Sequence, residues 1–162
     1  MKYPFRVLPL LAAAALAVAP PSLRADDAAK RQLVERGRYV VKIAGCNDCH
    51  TPGYAMSDGN VPEAEWLTGD RLGWRGPWGT TYPPNLRRTM AQLSEADWLK
   101  LAHNASFRPP MPSPSLRHMS DGDLRAIYHY VRSLGAGGGD VPAYVPPDGS
   151  PVGPVVMFPA PK

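Results

Sequence analysis

Three stretches of the chain repeat apolar residues at helical spacing. Leu33, Gly37, Val40, Val41 and Ala44 form one stripe and predict a helix from about Asp27 to Ala44. Gly37 within that stripe costs about 1 kcal/mol relative to alanine, a cost that makes sense where another helix crosses closely. Ser94, followed by Glu95, Ala96 and Asp97, has the form of an N-cap, since its hydroxyl can accept a bond from the third amide while acids face the helix start. The helix it opens, about Glu95 to Asn104, turns Trp98, Leu99 and Ala102 inward. Ser120 repeats the device with Asp121 and Asp123. The helix that follows buries Leu124, Ile127, Tyr128, Val131 and Leu134, and Gly135 stands where a C-terminal glycine cap is expected.

Between these helices, Gly45 to Asn85 shows no sustained period. It is punctuated by six glycines and five prolines after Gly45, yet holds Trp66, Trp74 and Trp78. A structureless run of that length in a small domain points to function or disorder, and the tryptophans argue against disorder. The last segment, Ala136 to Lys162, is rich in Pro and Gly and reads as an extended tail. No internal repeat is visible.

The N-terminus reads as an export signal. Lys2 and Arg6 precede an apolar run of 13 residues from Val7 to Ala19, and Ala25 offers a cleavage point before Asp26 and Asp27. The run is well short of the ~20 residues needed to cross a bilayer; an uncleaved N-terminal anchor is the alternative. The expected organisation is therefore a signal peptide over 1–25, one domain over 26–135 and a tail over 136–162. The leader carries Lys2, Arg6 and Arg24 and no acid, so the net charge of +4 falls to +1 without it. The remaining bases are scattered, which gives no footprint for nucleic acid.

The chain has two cysteines, Cys46 and Cys49, and the residue after them is His50. This Cys-x-x-Cys-His pattern is the attachment signature of a c-type haem. Each thiol adds across one vinyl group, and the next residue turns its imidazole to the iron. A redox dithiol, half a zinc site and a small disulfide are the alternatives. Zinc would require a second pair of ligands, and a thioredoxin-like motif would follow a strand where a helix leads in here. The expected cofactor is one covalent haem c with His50 on its iron. The candidates for the other axial position are Met56, Met90, Met111, Met119, Met157, His103, His118 and His129. Met111 is favoured because Pro109, Pro110 and Pro112 stiffen its loop, and Met119 is next. Arg75, Trp74, Trp78, Tyr82 and Asn85 lie together and offer donors for the haem propionates.

From about Glu35 to Leu134 the chain resembles a class I cytochrome c. Gly37 and Tyr39 stand ahead of the haem motif, Tyr128 or Tyr130 lies on the last helix, and Met111-Pro112 precedes that helix. The resemblance implies an all-α fold, three to five helices wrapped around one covalent haem with long loops. Gly79-Thr80-Thr81-Tyr82-Pro83-Pro84-Asn85 is similar to a segment in the cytochrome subunits of membrane-associated alcohol, aldehyde and gluconate dehydrogenases. Those subunits usually carry three haems, whereas this chain has one attachment site. The implied function is electron transfer in the periplasm, from a dehydrogenase donor to an oxidase or another cytochrome. Membrane association would come only through an uncleaved N-terminus or a partner complex. An enzyme or gas sensor with an open sixth site, and a haem-stabilised structural subunit, are the rival readings.

Overall fold

The computed structural model describes residues 21–159. The expected export signal up to residue 20 lies outside the described residues. Six α-helices, two short 3-10 turns and a small sheet follow in order.

Helix α1 spans Pro21–Ile43, beginning six residues before the predicted start. Its stripe is as the period predicts along its second half, with Gly37, Val40 and Val41 buried, while Ala44 falls just past the helix and is exposed. Helix α2 is Cys46–His50, α3 is Leu86–Gln92, α4 is Glu95–His103, α5 is Ser113–Arg117 and α6 is Asp121–Ser133. Both predicted serine caps are present. Ser94 Oγ accepts from Asp97 N–H at 3.1 Å and Ser120 Oγ accepts from Asp123 N–H at 3.1 Å. Asn85 supplies a third cap that the pattern did not signal, its Oδ1 accepting from Arg88 N–H at 3.1 Å.

The core is the crossing of α1 over α6. A Cβ added at Gly37 would stand 2.0 Å from the Ala126 carbonyl oxygen and 2.6 Å from Tyr130 Cβ, so glycine is what lets the two backbones meet. The close crossing expected at Gly37 is therefore real, and Tyr130 rather than Tyr128 is the fully buried aromatic beside it. Val40, Val41, Leu124, Ile127 and Val131 fill the contact, and Trp98 joins α4 to it by donating from Nε1 to the Leu124 carbonyl at 2.8 Å.

The all-α expectation needs one correction. Gly73–Gly76 (β1) and Gly79–Thr81 (β2) form an antiparallel hairpin, and Val155–Met157 (β3) pairs in parallel with β1. The strands are three or four residues long, too short to show an alternation, and β3 comes from the tail. The helices also exceed the expected three to five, because α2, α3 and α5 are five to seven residues long and carry too few turns to print a period.

The tail lies across the hairpin. Val145 and Thr80 exchange backbone bonds at 2.7 and 3.0 Å. Arg75 donates to the Pro147 carbonyl at 2.9 Å, Asn85 Nδ2 to the Gly137 carbonyl at 2.8 Å, and Arg88 pairs with Asp140. Phe158 packs its ring against Trp74 and Trp78. Buried Arg87 joins the turn at Glu63–Trp66 to the end of α6: its guanidinium donates to the carbonyls of Trp66, Glu63, Ala64 and Leu134. Among the described residues no helix is long and apolar enough to cross a membrane.

Candidate cofactor site

Gly45 takes a left-handed conformation (φ 67°) between α1 and α2, and the turn it makes sets α2 off from the helix before it. Within α2 the offsets of three and four residues put Cys46, Cys49 and His50 on neighbouring turns of one face. The helix is pinned from behind. Thr51 donates to Asn47 Oδ1 at 2.8 Å and accepts from Leu67 N–H at 2.8 Å, and Gly69 N–H donates to the His50 carbonyl at 2.9 Å.

All three residues line one cavity of about 310 Å³. Most of the remaining wall is apolar: Val41, Ile127 and Val131 from the crossing helices, Met90 from α3, Trp98 from α4 and Leu116 from α5. The hairpin contributes Trp74, Thr81 and Tyr82, and the loop between α4 and α5 contributes Phe107, Arg108 and Met111.

The electrostatics follow from that wall. Burial pushes the Cys46 thiol up to about 11, with Asp48 and Cys49 adding to the rise. Cys49 is also raised, first by burial and then by Asp48 and Asp70. Both cysteines are free, with no disulfide between them. Burial lowers the His50 pKa and outweighs the bond to Pro84 that would raise it. His50 Nδ1 lies 2.9 Å from the Pro84 carbonyl oxygen. A carbonyl only accepts, so Nδ1 carries the proton and Nε2 keeps its lone pair. A metal-ligating histidine is ordinarily held in this way, one nitrogen tied to a carbonyl and the other left for the metal.

The cavity thus gathers Cys46, Cys49, His50, Met111, Trp74 and Tyr82 of the residues expected from the sequence, with Met90 from among the axial candidates. Arg75, Trp78 and Asn85 stand elsewhere. Arg75 is held by Thr80 Oγ1 at 2.9 Å and by Pro147, and Asn85 caps α3 and reaches Gly137. Trp78 packs on Phe158, off the cavity wall. Tyr82 reaches the wall with its ring while its hydroxyl serves the tail, donating to the Val152 carbonyl at 2.9 Å and accepting from Val152 N–H at 2.7 Å.

Of the other axial candidates, Met90 lines the cavity and is fully buried, whereas Met56 and Met157 are exposed. Met119 packs against the core away from the cavity. His103 is bound to Asp121 and His129 to Glu95, while His118 is exposed. Among the described residues no three His, Cys, Asp or Glu side chains gather as a metal site, and tetrahedral zinc needs four such ligands.

The fit of a haem is tested by the polar atoms left over. Trp74 Nε1 and Thr81 Oγ1 are buried on the cavity side of the hairpin without a partner. A buried donor without an acceptor costs about 1–3 kcal/mol, so an acceptor brought by a ligand would relieve both. Paired thiols, a free imidazole nitrogen, a thioether and two orphaned donors around an apolar cavity form a donor set that suits haem c. Thr81 was not singled out by sequence reasoning, although its place in the Gly-Thr-Thr-Tyr stretch was the available signal.

No family model and no solved structure matches the chain. Curated relatives do. The chain is 32% identical over 108 residues to the fructose dehydrogenase cytochrome subunit of Gluconobacter japonicus, a match over 62% of this chain and 22% of that protein. It is 32% identical over 131 residues to the cytochrome c subunit of the quinone-dependent alcohol dehydrogenase of Komagataeibacter europaeus, over 75% of this chain and 24% of that one. It is 30% identical over 117 residues to the gluconate 2-dehydrogenase cytochrome c subunit of Pantoea cypripedii, over 65% and 24%. The matches span about a quarter of each relative's length. Over most of its own length, this chain resembles the cytochrome c subunits of bacterial fructose, alcohol and gluconate dehydrogenases.

Proposed function

We propose that this chain is a periplasmic electron-transfer cytochrome holding one haem c through Cys46 and Cys49, with His50 and Met111 as axial ligands. The observation that carries the reading is one apolar cavity lined at once by both cysteines, by an imidazole with a free Nε2 and by Met111. Its donor would be a dehydrogenase, as the names of the relatives indicate, and its acceptor an oxidase or another cytochrome. Export rests on the N-terminal signal pattern, with a cut near Ala25 and a domain over 26–135.

When bound, the haem supplies a one-electron couple, and His/Met ligation raises its potential relative to bis-His ligation. The chain's own part is positional. Pro84 fixes the imidazole tautomer, and the prolines flanking Met111 hold its loop. Val41, Ile127 and Trp98 exclude water from the cavity. Trp74 Nε1 and Thr81 Oγ1 are the donors available to the propionates, in place of Arg75 and Asn85, which bond the Pro147 and Gly137 carbonyls off the cavity wall. Leu101 and Phe107, 38% and 41% exposed at the cavity rim, offer an apolar edge for a redox partner.

The test is an optical spectrum of the oxidised and reduced protein, with carbon monoxide added to the reduced form. A far-red sulfur-to-iron band that disappears in Met111→Ala, with carbon monoxide binding only in that variant, is the expected result. Carbon monoxide binding by the unaltered protein without that band would replace the carrier with an open-site enzyme or sensor.

A further inference from the structure

The hydrogen bonds of the loop that carries Met111 are local, to α5. Phe107 N–H donates to Ser113 Oγ at 2.9 Å, Ser113 N–H donates to the Met111 carbonyl at 2.8 Å, Ser115 N–H donates to the Pro112 carbonyl at 3.0 Å, and Arg117 donates to the Ala105 carbonyl. Pro109, Pro110 and Pro112 have no N–H to offer. Against this loop stands Tyr144 of the tail. The Arg108 guanidinium carbon lies 3.8 Å from the centroid of its ring, a close cation–π contact.

Tyr144 is fixed from the other side. Its hydroxyl donates to the Trp78 carbonyl at 2.8 Å, and its neighbour Val145 is bridged to Thr80 through both backbone bonds. Gly79 makes the approach possible: at φ 97°, a Cβ there would stand 2.3 Å from the Val145 carbonyl oxygen and 3.0 Å from the Tyr144 ring. The hairpin and the Met111 loop are both cavity walls. Tyr144 touches both, and lies in the tail, outside the cavity itself.

We propose that Tyr144 is a positioning residue of the haem pocket: anchored to the hairpin, its ring holds Arg108 and so keeps the Met111 loop closed on the cavity. The part that concerns Met111 and iron rests on the function proposed above; the part that concerns the loop does not. The tail is then a clamp built into this chain, joining two walls of the cavity that are more than twenty residues apart in sequence.

The test uses the full-length, haem-loaded protein with Tyr144→Ala, Tyr144→Phe and Arg108→Ala. Amide hydrogen exchange is read at Phe107, and carbon monoxide binding is read on the reduced form. Both side chains are exposed, and loss of a contact of this kind should raise loop opening about two- to fivefold. The Phe107 amide should therefore exchange about two- to fivefold faster in Tyr144→Ala and in Arg108→Ala, and no faster again in the double variant. Tyr144→Phe keeps the ring face and the Val145 bridge but loses the bond to the Trp78 carbonyl, so its exchange should lie between that of the unaltered protein and that of Tyr144→Ala. Carbon monoxide should gain access in the same order, while amides of α6 stay unchanged. Unchanged Phe107 exchange in Tyr144→Ala would overturn the clamp, as would an equal rise throughout α6 or equal effects of the Phe and Ala variants. If the unaltered protein already binds carbon monoxide, the Met111 ligation fails, and the exchange rates alone decide the clamp.

Discussion

Where α1 crosses α6, the contact is made of backbone and apolar side chains: Gly37 against the Ala126 carbonyl, with Val40, Val41, Ile127 and Val131 around it. Where the tail crosses the β1–β2 hairpin, the contacts are mostly hydrogen bonds between single groups and distant carbonyls. Arg75 reaches Pro147, Tyr82 reaches Val152, Asn85 reaches Gly137 and Tyr144 reaches Trp78. The first region depends on shape, so its weak point is added volume. The second depends on individual donors, so its weak points are single polar atoms. The cavity is lined from both, with His50 and the helical wall on one side of this division and Trp74, Thr81 and Tyr82 on the other.

The largest effect should come from Gly37→Ala, since the new Cβ meets a backbone oxygen at 2.0 Å that no rotamer change can move. A loss of about 3 kcal/mol is expected in denaturant titration of the haem-loaded protein. Gly139→Ala is the matched control in the tail, where an added Cβ meets nothing within 4 Å, and it should be near neutral. Equal effects at the two glycines would erase the distinction between the regions.

Arg87→Met should cost about 2 kcal/mol by the same titration, because the buried Trp66 carbonyl and the part-buried bonds to Ala64 and Leu134 lose their charged donor. Burial lowers the Arg87 pKa from its ordinary value, but a guanidinium stays charged throughout the usable range. Arg87 ties the Glu63–Trp66 turn to the end of α6, so the helical region should loosen in hydrogen exchange while the tail and hairpin stay protected. Equal loss of protection in the tail and hairpin would show that Arg87 holds both regions.

Tyr82→Phe should cost about 1 kcal/mol. It removes a hydroxyl that both donates to and accepts from Val152, while leaving the ring on the cavity wall. The Val152 amide should exchange faster, with the helices unaffected. Slower or unchanged exchange would mean that strand β3 holds the tail without Tyr82.

The smallest effect sits in the helical region. The Asp121 carboxylate, and then the Arg117 carbonyl, raise the His103 pKa above its ordinary value. A raised folded-state pKa stabilises below the ordinary histidine value, and that stability is lost as pH rises through the folded-state value. Asp121→Asn should bring the His103 NMR titration midpoint down, and the stability gap between the two proteins should narrow as pH rises. An unmoved midpoint would detach His103 from Asp121 in solution.

How much of this could be read in advance divides along the same line. The stripe of α1, the close crossing at Gly37, the caps at Ser94 and Ser120 and the gathering of Cys46, Cys49 and His50 were legible, because each depends on residues within one or two turns. Met111 was legible as a stiffened loop residue, but only the cavity separates it from Met119, Met56 and Met157, and only the cavity brings in Met90. The donors near the hairpin were legible as a group, but only the tertiary structure shows that Trp74 and Tyr82 line the cavity while Arg75, Trp78 and Asn85 do not. Arg75 and Asn85 had suitable chemistry, yet the tail's carbonyls reached them first.

The amino-acid sequence by itself determined the attachment motif, the amphipathic helices and the glycine that lets two of them cross. These rest on spacings of three and four residues, and local geometry converts such spacings into a face. The tertiary structure alone decided which donors remain free beside the cavity, that β3 pairs with a strand eighty residues earlier, and that Tyr144 joins two of the cavity's walls. A hydrogen bond to a distant carbonyl depends on the path of the whole backbone between the two groups, and no periodicity in the sequence encodes that path.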